Sequence, residues 1–264
     1  MMYICATVRN ADRVCEDVVS YDLQLEKPLS SRPGQYIMLW VPRIGEIPLS
    51  VALEEGESVR LLVARKGRVT TYMHSNVAPG CRVFLRGPLG RGFTLEAGKA
   101  LIVGGGVGVA PLLYLCKTLK ERGARVTVAV GFRSAKCTPY IDSFSRYADE
   151  LHIATEDGSL GARGTAVDLA AELIRRSAYD IVYTCGNEHM MRRVIELALK
   201  NDVRVEASVE RLIKCGIGIC GTCVLEPQGI RVCVEGPVLD GRTLAEVEDF
   251  GRWWRDSAGK RIPI

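Results

Sequence analysis

The chain has 264 residues, of which 47% are hydrophobic and 25% are charged, and its formal net charge is +4. These values are typical of a globular protein, and without a lysine- or arginine-rich run the small charge excludes an electrostatic nucleic-acid binder. No apolar run approaches the roughly 18 residues of a membrane helix, and the N-terminus lacks a signal-peptide pattern. We expect a cytoplasmic protein with no nucleic-acid or membrane partner.

The first ninety or so residues have the pattern of β-strands separated by turns. Between residues 19 and 26 apolar side chains alternate with polar ones, which is the period of a half-buried strand. Further candidate strands lie at 35–41, 59–65 and 82–86, and turns such as Arg32-Pro33-Gly34 separate them. Several short strands of this kind predict a small antiparallel β-barrel.

Near residue 97 the pattern changes to alternating strands and helices. The apolar run 101–103 leads into Gly104-Gly105-Gly106-Val107-Gly108, and a helix with one apolar face follows. A strand-to-helix turn of this kind offers free N–H groups and a helix dipole to a phosphate. It is not the G-x-G-x-x-G fingerprint, because Val109 stands at the third position. Alone, the turn fits either a phosphate site or a tight bend.

Two further features continue the α/β pattern. Thr165 and Asp168 predict a capping box at a helix start, and the strand 181–184 leads through Cys185-Gly186-Asn187 into another helix. Ligands bind at the carboxyl ends of strands in open α/β sheets. We therefore predict a doubly wound parallel sheet with helices on both faces and a ligand site at this edge.

Four of the ten cysteines lie near the C-terminal end: Cys215, Cys220, Cys223 and Cys233. Their spacing, C-x4-C-x2-C followed at a distance by C, is typical of plant-type [2Fe–2S] sites, in which four thiolates hold two irons. The glycines between them remove Cβ bulk and let backbone N–H groups face sulfur. Structural zinc and disulfides are the alternatives, but zinc sites usually have two C-x2-C pairs and this segment has one.

The remaining cysteines are scattered among apolar or irregular segments, which predicts free thiols in a reducing compartment. They are Cys5, Cys15, Cys81, Cys116, Cys137 and Cys185. The three histidines fall in separate segments, and neither a Ser-His-Asp nor a metal-hydrolase arrangement is evident. We therefore expect the chemistry to reside in cofactors.

In this order and spacing the motifs resemble the ferredoxin-reductase family of flavoproteins over essentially the whole chain. The matching segments are Pro48-Leu49-Ser50, Gly67-Arg68-Val69-Thr70, the crossover Gly87-Pro88-Leu89-Gly90-Arg91-Gly92-Phe93, the glycine-rich turn and Cys185-Gly186-Asn187. The resemblance implies an FAD-binding antiparallel β-barrel at 1–96, an NAD-binding doubly wound α/β domain at 97–205 and a small [2Fe–2S] domain at 206–264.

The cysteine segment narrows the match. Residues 210–223, together with Val232-Cys233-Val234-Glu235-Gly236-Pro237-Val238-Leu239, resemble the electron-transfer subunit of class B dihydroorotate dehydrogenases. In that family the subunit passes electrons from the FMN of a catalytic subunit, reduced by dihydroorotate, through [2Fe–2S] and FAD to NAD in pyrimidine biosynthesis. The resemblance implies an oxidoreductase component that joins such a partner, as a heterotetramer with two copies of each subunit.

The resemblance also implies the site residues. The cluster ligands are the four clustered cysteines. The FAD contacts are Pro48, Leu49, Ser50, Leu62, Val63, Ala64, Gly67, Val69 and Thr70. The NAD contacts are Gly104, Gly105, Gly106, Gly108, Cys185, Gly186 and Asn187, with Cys185 nearest the nicotinamide. Arg133 follows a strand where the adenosine ribose would lie and suits a 2′-phosphate, but the family resemblance implies NAD rather than NADP.

One position departs from the family's flavin motif, which usually begins with arginine. Ile47 stands there, so an expected guanidinium partner of the FAD pyrophosphate is absent. Either Arg65, Arg43 or backbone amides make that contact, or the flavin binds more weakly.

Two alternatives stay open on the sequence. The first is the FAD/[2Fe–2S] subunit of a ferredoxin:NADP reductase or sulfide dehydrogenase complex, in which an Asp can replace one cluster cysteine; the four cysteines here favour the dihydroorotate type. The second is a zinc-stabilised binding module with no enzyme activity. Near the C-terminus, we expect Trp253-Trp254 to pack on the cluster domain rather than cover a partner.

Overall fold

The computed structural model describes residues 3–256 and 258–264. Its first six strands form a closed antiparallel barrel in the spatial order β1-β2-β5-β4-β3-β6, so the predicted barrel is confirmed. The strands are β1 (Ile4–Cys15), β2 (Val18–Leu25), β3 (Tyr36–Val41), β4 (Gly45–Glu55), β5 (Ser58–Ala64) and β6 (Arg82–Leu89). Closure pairs the edges that an open sheet would leave free.

A short helix, α1 (Arg68–Asn76), connects β5 to β6. Gly67 is its N-cap, so a segment that alone is typical of a β-turn begins a helix instead. Val69 and Met73 are the buried residues of this helix. The hydroxyl of Tyr21 donates a hydrogen bond of 2.9 Å to the Met73 carbonyl, which fastens the helix to β2.

The second sheet has seven strands in the order β10-β9-β8-β7-β11-β12-β15. They are β7 (Lys99–Gly105), β8 (Arg125–Phe132), β9 (Glu150–Thr155), β10 (Ala162–Arg163), β11 (Ile181–Cys185), β12 (Arg204–Ser208) and β15 (Val238–Asp240). Every neighbouring pair is parallel except β12 and β15, which are antiparallel. The predicted parallel sheet is confirmed, with one antiparallel strand added from the cysteine-containing segment.

Helices cover both faces of this sheet, as predicted for a doubly wound fold. Helices α2 (Val109–Glu121) and α3 (Ile141–Tyr147) contribute to one buried cluster, and α4 (Ala166–Arg176) and α5 (Glu188–Lys200) to another. The predicted capping box is present at α4, because Asp168 N–H donates to Thr165 Oγ1 at 3.3 Å and Thr165 N–H donates to Asp168 Oδ2 at 2.8 Å.

The barrel and the sheet domain share a packed interface. Ala52 and Leu62 of the barrel belong to the same buried cluster as the apolar face of α2. The hydroxyl of Tyr114, on α2, donates to the Ser31 carbonyl at 3.0 Å. The crossover that joins the two domains also contacts the C-terminal segment, since Arg91 N–H donates to the Gly236 carbonyl at 2.5 Å.

The segment after β12 contains the hairpin β13 (Val224–Leu225) and β14 (Ile230–Arg231), then β15, the short helix α6 (Gly241–Ala245) and the hairpin β16 (Trp253–Arg255) and β17 (Arg261–Pro263). The predicted domain boundary between residues 205 and 206 lies inside β12, which spans Arg204–Ser208. Trp254 lies over the Arg211 guanidinium, 5.4 Å from the ring centroid, while Trp253 is 37% exposed.

One expectation about the cysteines is wrong. Cys15 and Cys137 form a disulfide with a Cα–Cα distance of 5.3 Å, which joins the end of β1 to the loop after β8. Sequence spacing could not reveal this pair, because the two residues are 122 positions apart. Cys5, Cys81, Cys116 and Cys185 are free thiols, as expected. Within the described residues, no helix has the length and apolar character needed to cross a membrane.

Candidate functional site

The cysteine segment is an irregular loop that closes on itself. Gly216 and Gly218 have φ of +70° and +80°, in the region that favours glycine. A Cβ built on Gly218 would lie 2.9 Å from the Val234 side chain, so only glycine lets the first part of the loop approach the Cys233 region this closely. The role predicted for these glycines fits the geometry.

The four cysteine thiols form two neighbouring pairs. Cys215 and Cys220 are hydrogen-bonded to each other; burial tends to raise the pKa of Cys215, but the N–H groups of Ile217, Cys220 and Ile219 outweigh it and bring the pKa to about 6. Cys223 and Cys233 form the second pair, in which Cys233 N–H donates to Cys223 Sγ at 3.4 Å. Burial raises the pKa of Cys233 to about 12, and charges on Cys223 and Cys215 add to the effect.

This arrangement suits a two-iron cluster in two respects, the number of thiol donors and the N–H groups that surround them. Among residues 3–256 and 258–264, no three His, Cys, Asp or Glu side chains already converge on a single metal position. Two adjacent thiol pairs nevertheless match the requirement of two thiolates for each iron. Backbone N–H groups directed at sulfur are the outer-shell contacts that stabilise bound thiolate.

The cysteine loop contacts the barrel through a half-buried arginine. Arg86 Nη1 donates to the Cys215 carbonyl at 2.9 Å, and its other nitrogens form a bidentate pair with Glu46 at 2.7 and 2.8 Å. The side chains of Arg86 and Glu46 are 12% and 20% exposed. The hydrogen bonds from Arg86 lower the pKa of Glu46, so its carboxylate stays charged. Sequence reasoning missed both residues, although Glu46 directly precedes Ile47.

The residues predicted to bind FAD lie on β4, at the end of β5 and at the start of α1. Pro48, Leu49 and Ser50 are on β4, opposite Met38, Ile37 and Tyr36 of β3. Leu62, Val63 and Ala64 end β5, and Gly67, Val69 and Thr70 begin α1. A Cβ on Gly45 would lie 2.9 Å from Val69 Cγ2, so the starts of β4 and α1 are in contact.

Of the two arginines that could replace the missing flavin arginine, Arg65 already has a carboxylate partner. It is paired with Asp17, with Nε and Nη2 at 2.9 and 2.5 Å from the carboxylate. Arg43 has φ of +67° in the turn between β3 and β4. Ile47 itself is half-buried, lies opposite Leu39 and packs against the barrel core.

The residues predicted to bind NAD meet at the carboxyl ends of β7 and β11. Gly104 pairs with Cys185 across these strands. A Cβ on Gly108 would lie 2.6 Å from Gly186 Cα, so the glycine turn and the Cys185-Gly186-Asn187 motif touch. Asn187 caps α5, with Oδ1 accepting from Met190 N–H at 2.8 Å. The geometry brings together two motifs that are separated by about eighty residues in the sequence.

Cys185 is a neutral thiol in this setting. Burial raises its pKa to about 12, and the negative charge of Glu210 acts in the same direction, while a hydrogen bond with Ser208 opposes them. A thiol with so high a pKa is not a nucleophile at neutral pH. Glu210 also approaches Lys66, just before α1, at 3.2 Å. Sequence reasoning missed Ser208 and the Lys66–Glu210 contact. These residues lie near the nucleotide motif only in the folded chain.

Comparisons with known proteins agree with this architecture. Residues 210–245 match the family described as the iron-sulfur cluster binding domain of dihydroorotate dehydrogenase B, which favours iron–sulfur over the zinc alternative. Curated relatives named probable dihydroorotate dehydrogenase B (NAD(+)), electron transfer subunit, include one from Methanocaldococcus jannaschii, 36% identical over 90% of both chains. A relative of the same name from Methanocella arvoryzae is 34% identical over 100% of both chains.

A solved structure extends the comparison to the fold. A chain of the NADH-dependent reduced ferredoxin-NADP oxidoreductase superposes with a TM-score of 0.81 and 29% sequence identity, over 90% of this chain and 88% of that one. The flavohem-like FAD/NAD binding domain of the nitric oxide dioxygenase from Vibrio cholerae superposes with a TM-score of 0.67 and 25% identity. With relatives this similar over nearly the full length, the resemblance seen in the sequence is confirmed: the chain belongs to the family of dihydroorotate dehydrogenase B electron transfer subunits.

Proposed function

We propose that this chain is the electron-transfer subunit of an NAD-linked dihydroorotate dehydrogenase in pyrimidine biosynthesis. It is an oxidoreductase component that works with a separate catalytic subunit, and its cofactors are FAD, a [2Fe–2S] cluster and NAD as the acceptor. The observation that carries the proposal is the contact of the cysteine loop with the barrel: the carbonyl of Cys215 is bound by Arg86 of β6, whose partner Glu46 adjoins the flavin motif. The proposed cluster site and the proposed flavin site therefore lie on segments that contact each other, as electron transfer between them requires.

The chain's own residues would hold and orient these groups. The cluster ligands are Cys215, Cys220, Cys223 and Cys233, and the flavin and nucleotide contacts are those predicted from the sequence. When bound, the cluster supplies one-electron chemistry and the flavin supplies hydride chemistry. The neutral Cys185 thiol lies next to Gly186, which contacts Gly108 without room for a Cβ, at the proposed nicotinamide side. We propose the same order of three cofactor domains as predicted at 1–96, 97–205 and 206–264, with the second boundary moved to the end of β12, which spans Arg204–Ser208.

The cysteine loop also carries the surface proposed for the partner. Ile217, Ile219 and Val234 are 49%, 77% and 38% exposed, and each lies within two residues of a proposed ligand. Apolar side chains around a redox centre suit the docking of a protein that delivers electrons to it. We propose that the partner is the FMN-containing catalytic subunit, that two of each assemble as a heterotetramer, and that the complex works in the cytoplasm.

The test is purification of the chain with its candidate catalytic partner under anaerobic conditions. We expect the pair to reduce NAD with dihydroorotate, with FAD and iron–sulfur absorption in the complex. A pair that oxidises sulfide, or exchanges electrons only with ferredoxin, would move the assignment to the related reductase subunits; the TM-score of 0.81 to a ferredoxin-NADP oxidoreductase chain makes that the second candidate.

The ligand assignment has its own test. Cys220→Ser should remove most of the visible iron–sulfur absorption while leaving FAD bound. Cys81→Ser is the matched control, since Cys81 is a free thiol in the barrel, bonded to its own turn through Ala78 N–H at 3.5 Å. Equal cluster content in the two variants would contradict the ligand set.

A further inference from the structure

A buried ion pair joins the nucleotide motif to the start of the cysteine loop. Glu188 directly follows Cys185-Gly186-Asn187 and is 5% exposed, and Arg211 lies four residues before Cys215 and is 6% exposed. Their side chains form an ion pair, in which Arg211 Nη2 is 3.3 Å from Glu188 Oε2. The same Glu188 oxygen accepts the Gly251 N–H at 2.8 Å, so the C-terminal segment joins the contact.

Further charged side chains link this ion pair to the second half of the cysteine loop. Burial lowers the pKa of Arg211 to about 10, and the charge of Asp249, which is 3% exposed, opposes this shift. Asp249 Oδ1 pairs with Arg261 at 2.9 Å. Arg261 and Arg255 both bind Glu226 Oε2, at 2.8 and 2.5 Å. Glu226 lies between β13 and β14, inside the segment that joins Cys223 to Cys233. Both arms of the cysteine loop are therefore connected to Glu188.

A buried ion pair is a poor means of stabilising a fold. Removing two charges from water costs about as much as their attraction returns, so well-packed apolar residues of similar size often serve stability equally well. In some proteins such a pair instead specifies the relative position of the two segments that carry it. At the Glu188 end a shift would reach the glycine turn, because Gly186 packs against Gly108 without room for a Cβ.

We propose that Glu188 and Arg211 are a positioning pair that fixes the nucleotide motif relative to the cysteine loop, with Asp249 as its anchor in the C-terminal segment. The inference deepens the proposed function and rests on it. Neither residue is catalytic. Their role is to keep the Gly108–Gly186 contact, and with it the proposed nicotinamide side, in register with the segment that carries the cluster ligands.

The experiment uses the full chain with FAD and cluster, and measures KM and kcat for NADH with ferricyanide as acceptor. The first variant replaces both members with apolar residues, Glu188→Leu with Arg211→Met. We expect a modest loss of thermal stability, because the Gly251 N–H loses its buried acceptor. We expect an unchanged kcat and a KM for NADH raised about fivefold or more, an effect of the size found for residues in contact. Asp249→Asn should also raise KM, although residue 249 lies about sixty positions from the motif.

The matched control removes an exposed pair from helix α4, Glu172→Leu with Arg176→Met, whose members form an ion pair and are 41% and 66% exposed. Its KM should equal that of the wild type. Wild-type KM in both the apolar double variant and Asp249→Asn would overturn the proposal.

A milder variant covers the case in which the double variant does not retain its cluster. Arg211→Lys keeps the charge but loses the planar donor pair, and we expect full cluster content, an altered visible circular dichroism spectrum and a smaller rise in KM. A wild-type spectrum and KM in Arg211→Lys would also overturn the proposal. A wild-type holo subunit that fails to oxidise NADH would instead refute the proposed function.

Discussion

The phenol of Tyr36 donates a hydrogen bond of 3.1 Å to the carbonyl oxygen of Cys233, and both residues are buried. Tyr36 also lies opposite Ser50 in the barrel, so one side chain connects the proposed flavin strand to a proposed cluster ligand. Burial raises the pKa of this phenol well above its usual value, and the neighbouring Cys233 and Cys223 charges raise it further. The hydroxyl therefore stays protonated and remains a donor.

Tyr36→Phe should destabilise the protein by about 1–3 kcal/mol, because the Cys233 carbonyl would lose its partner in a buried site. Urea unfolding of the holo protein measures the effect. Tyr72→Phe is the control, since that side chain is 37% exposed and its loss should leave the free energy of unfolding unchanged. Equal stability of Tyr36→Phe and the wild type would show that water or another donor replaces the phenol.

A second prediction compares two arginines of the barrel. Arg86 and Arg60 each bind a carboxylate with two nitrogens, Glu46 and Asp22 respectively, but only Arg86 also binds the Cys215 carbonyl. Arg86→Met leaves the half-buried Glu46 charge unpaired and releases the loop, so we expect a loss of about 2–4 kcal/mol and faster bleaching of the cluster absorption. Arg60→Met also leaves a half-buried carboxylate unpaired, since Asp22 is 22% exposed, so it should destabilise the fold as well, but it should leave bleaching unchanged. Equal bleaching rates in the two variants would contradict the role of Arg86.

The features that the sequence predicted correctly are local ones. The capping box of Thr165 and Asp168 spans three residues, and the glycine turn adjoins its own strand and helix. In the second half of β2, from residue 21 to 25, buried and half-buried side chains likewise alternate every two residues. Such signals need no knowledge of distant parts of the chain, so composition and spacing were sufficient to place them.

The features that were missed depend on contacts between distant segments. Arg86 and Cys215 are 129 positions apart, and Cys15 and Cys137 are 122 apart. Strand β15 has only three residues, too few for a period of two to be recognised, and it pairs because Leu239 meets Ala207 in the finished fold. Ion pairs and disulfides of this kind follow from the three-dimensional arrangement, and no single-sequence pattern marks them in advance.

The Cys15–Cys137 disulfide leads to a third prediction. It joins the barrel to the sheet domain, close to the 3.0 Å hydrogen bond between the Ser20 and Tyr140 hydroxyls. A crosslink across 122 residues restricts the unfolded chain, so its reduction should lower stability by up to about 4–5 kcal/mol. Thermal unfolding with and without a small dithiol measures this. The double variant Cys15→Ser/Cys137→Ser should unfold at the temperature of the reduced wild type and not respond to the dithiol. A wild type that responds no more than this variant would contradict a formed crosslink.

A fourth prediction concerns pH. Burial raises the pKa of Glu206, whose carboxylate accepts the Thr94 N–H at 2.9 Å, above its ordinary value of 4.5. A carboxyl group whose pKa is raised by folding binds its proton more tightly in the folded state, so it costs stability as the pH rises through the folded pKa. Glu206→Gln should therefore be more stable than the wild type at pH 8, and the difference should shrink as the pH falls towards 4.5.

Glu150 provides a control, because its pKa is shifted in the opposite direction to that of Glu206. The hydrogen bonds from Arg125 lower the pKa of Glu150, so its contribution is present above the ordinary value and is lost in acid. Glu150→Gln should be slightly less stable than the wild type at pH 8, with the difference disappearing at low pH. Thermal unfolding across this range tests both variants. A Glu206→Gln profile parallel to that of the wild type would mean that the carboxyl group is not perturbed by burial.

The fifth prediction addresses the flavin motif. Ile47 stands where the family usually has arginine, and its side chain is half-buried against the barrel core opposite Leu39. Arginine can keep that packing with its aliphatic stem while its guanidinium reaches water or phosphate. A charge-assisted hydrogen bond to the FAD pyrophosphate is worth roughly 1.5–3 kcal/mol, so Ile47→Arg should lower the Kd for FAD about tenfold or more. Fluorescence titration of flavin-free protein measures the change, with Ile47→Met as the control for side-chain size without charge. Equal FAD affinity in the two variants would show that the pyrophosphate lies beyond the reach of residue 47, and Arg43 or the N–H groups at the start of α1 would then be its contacts.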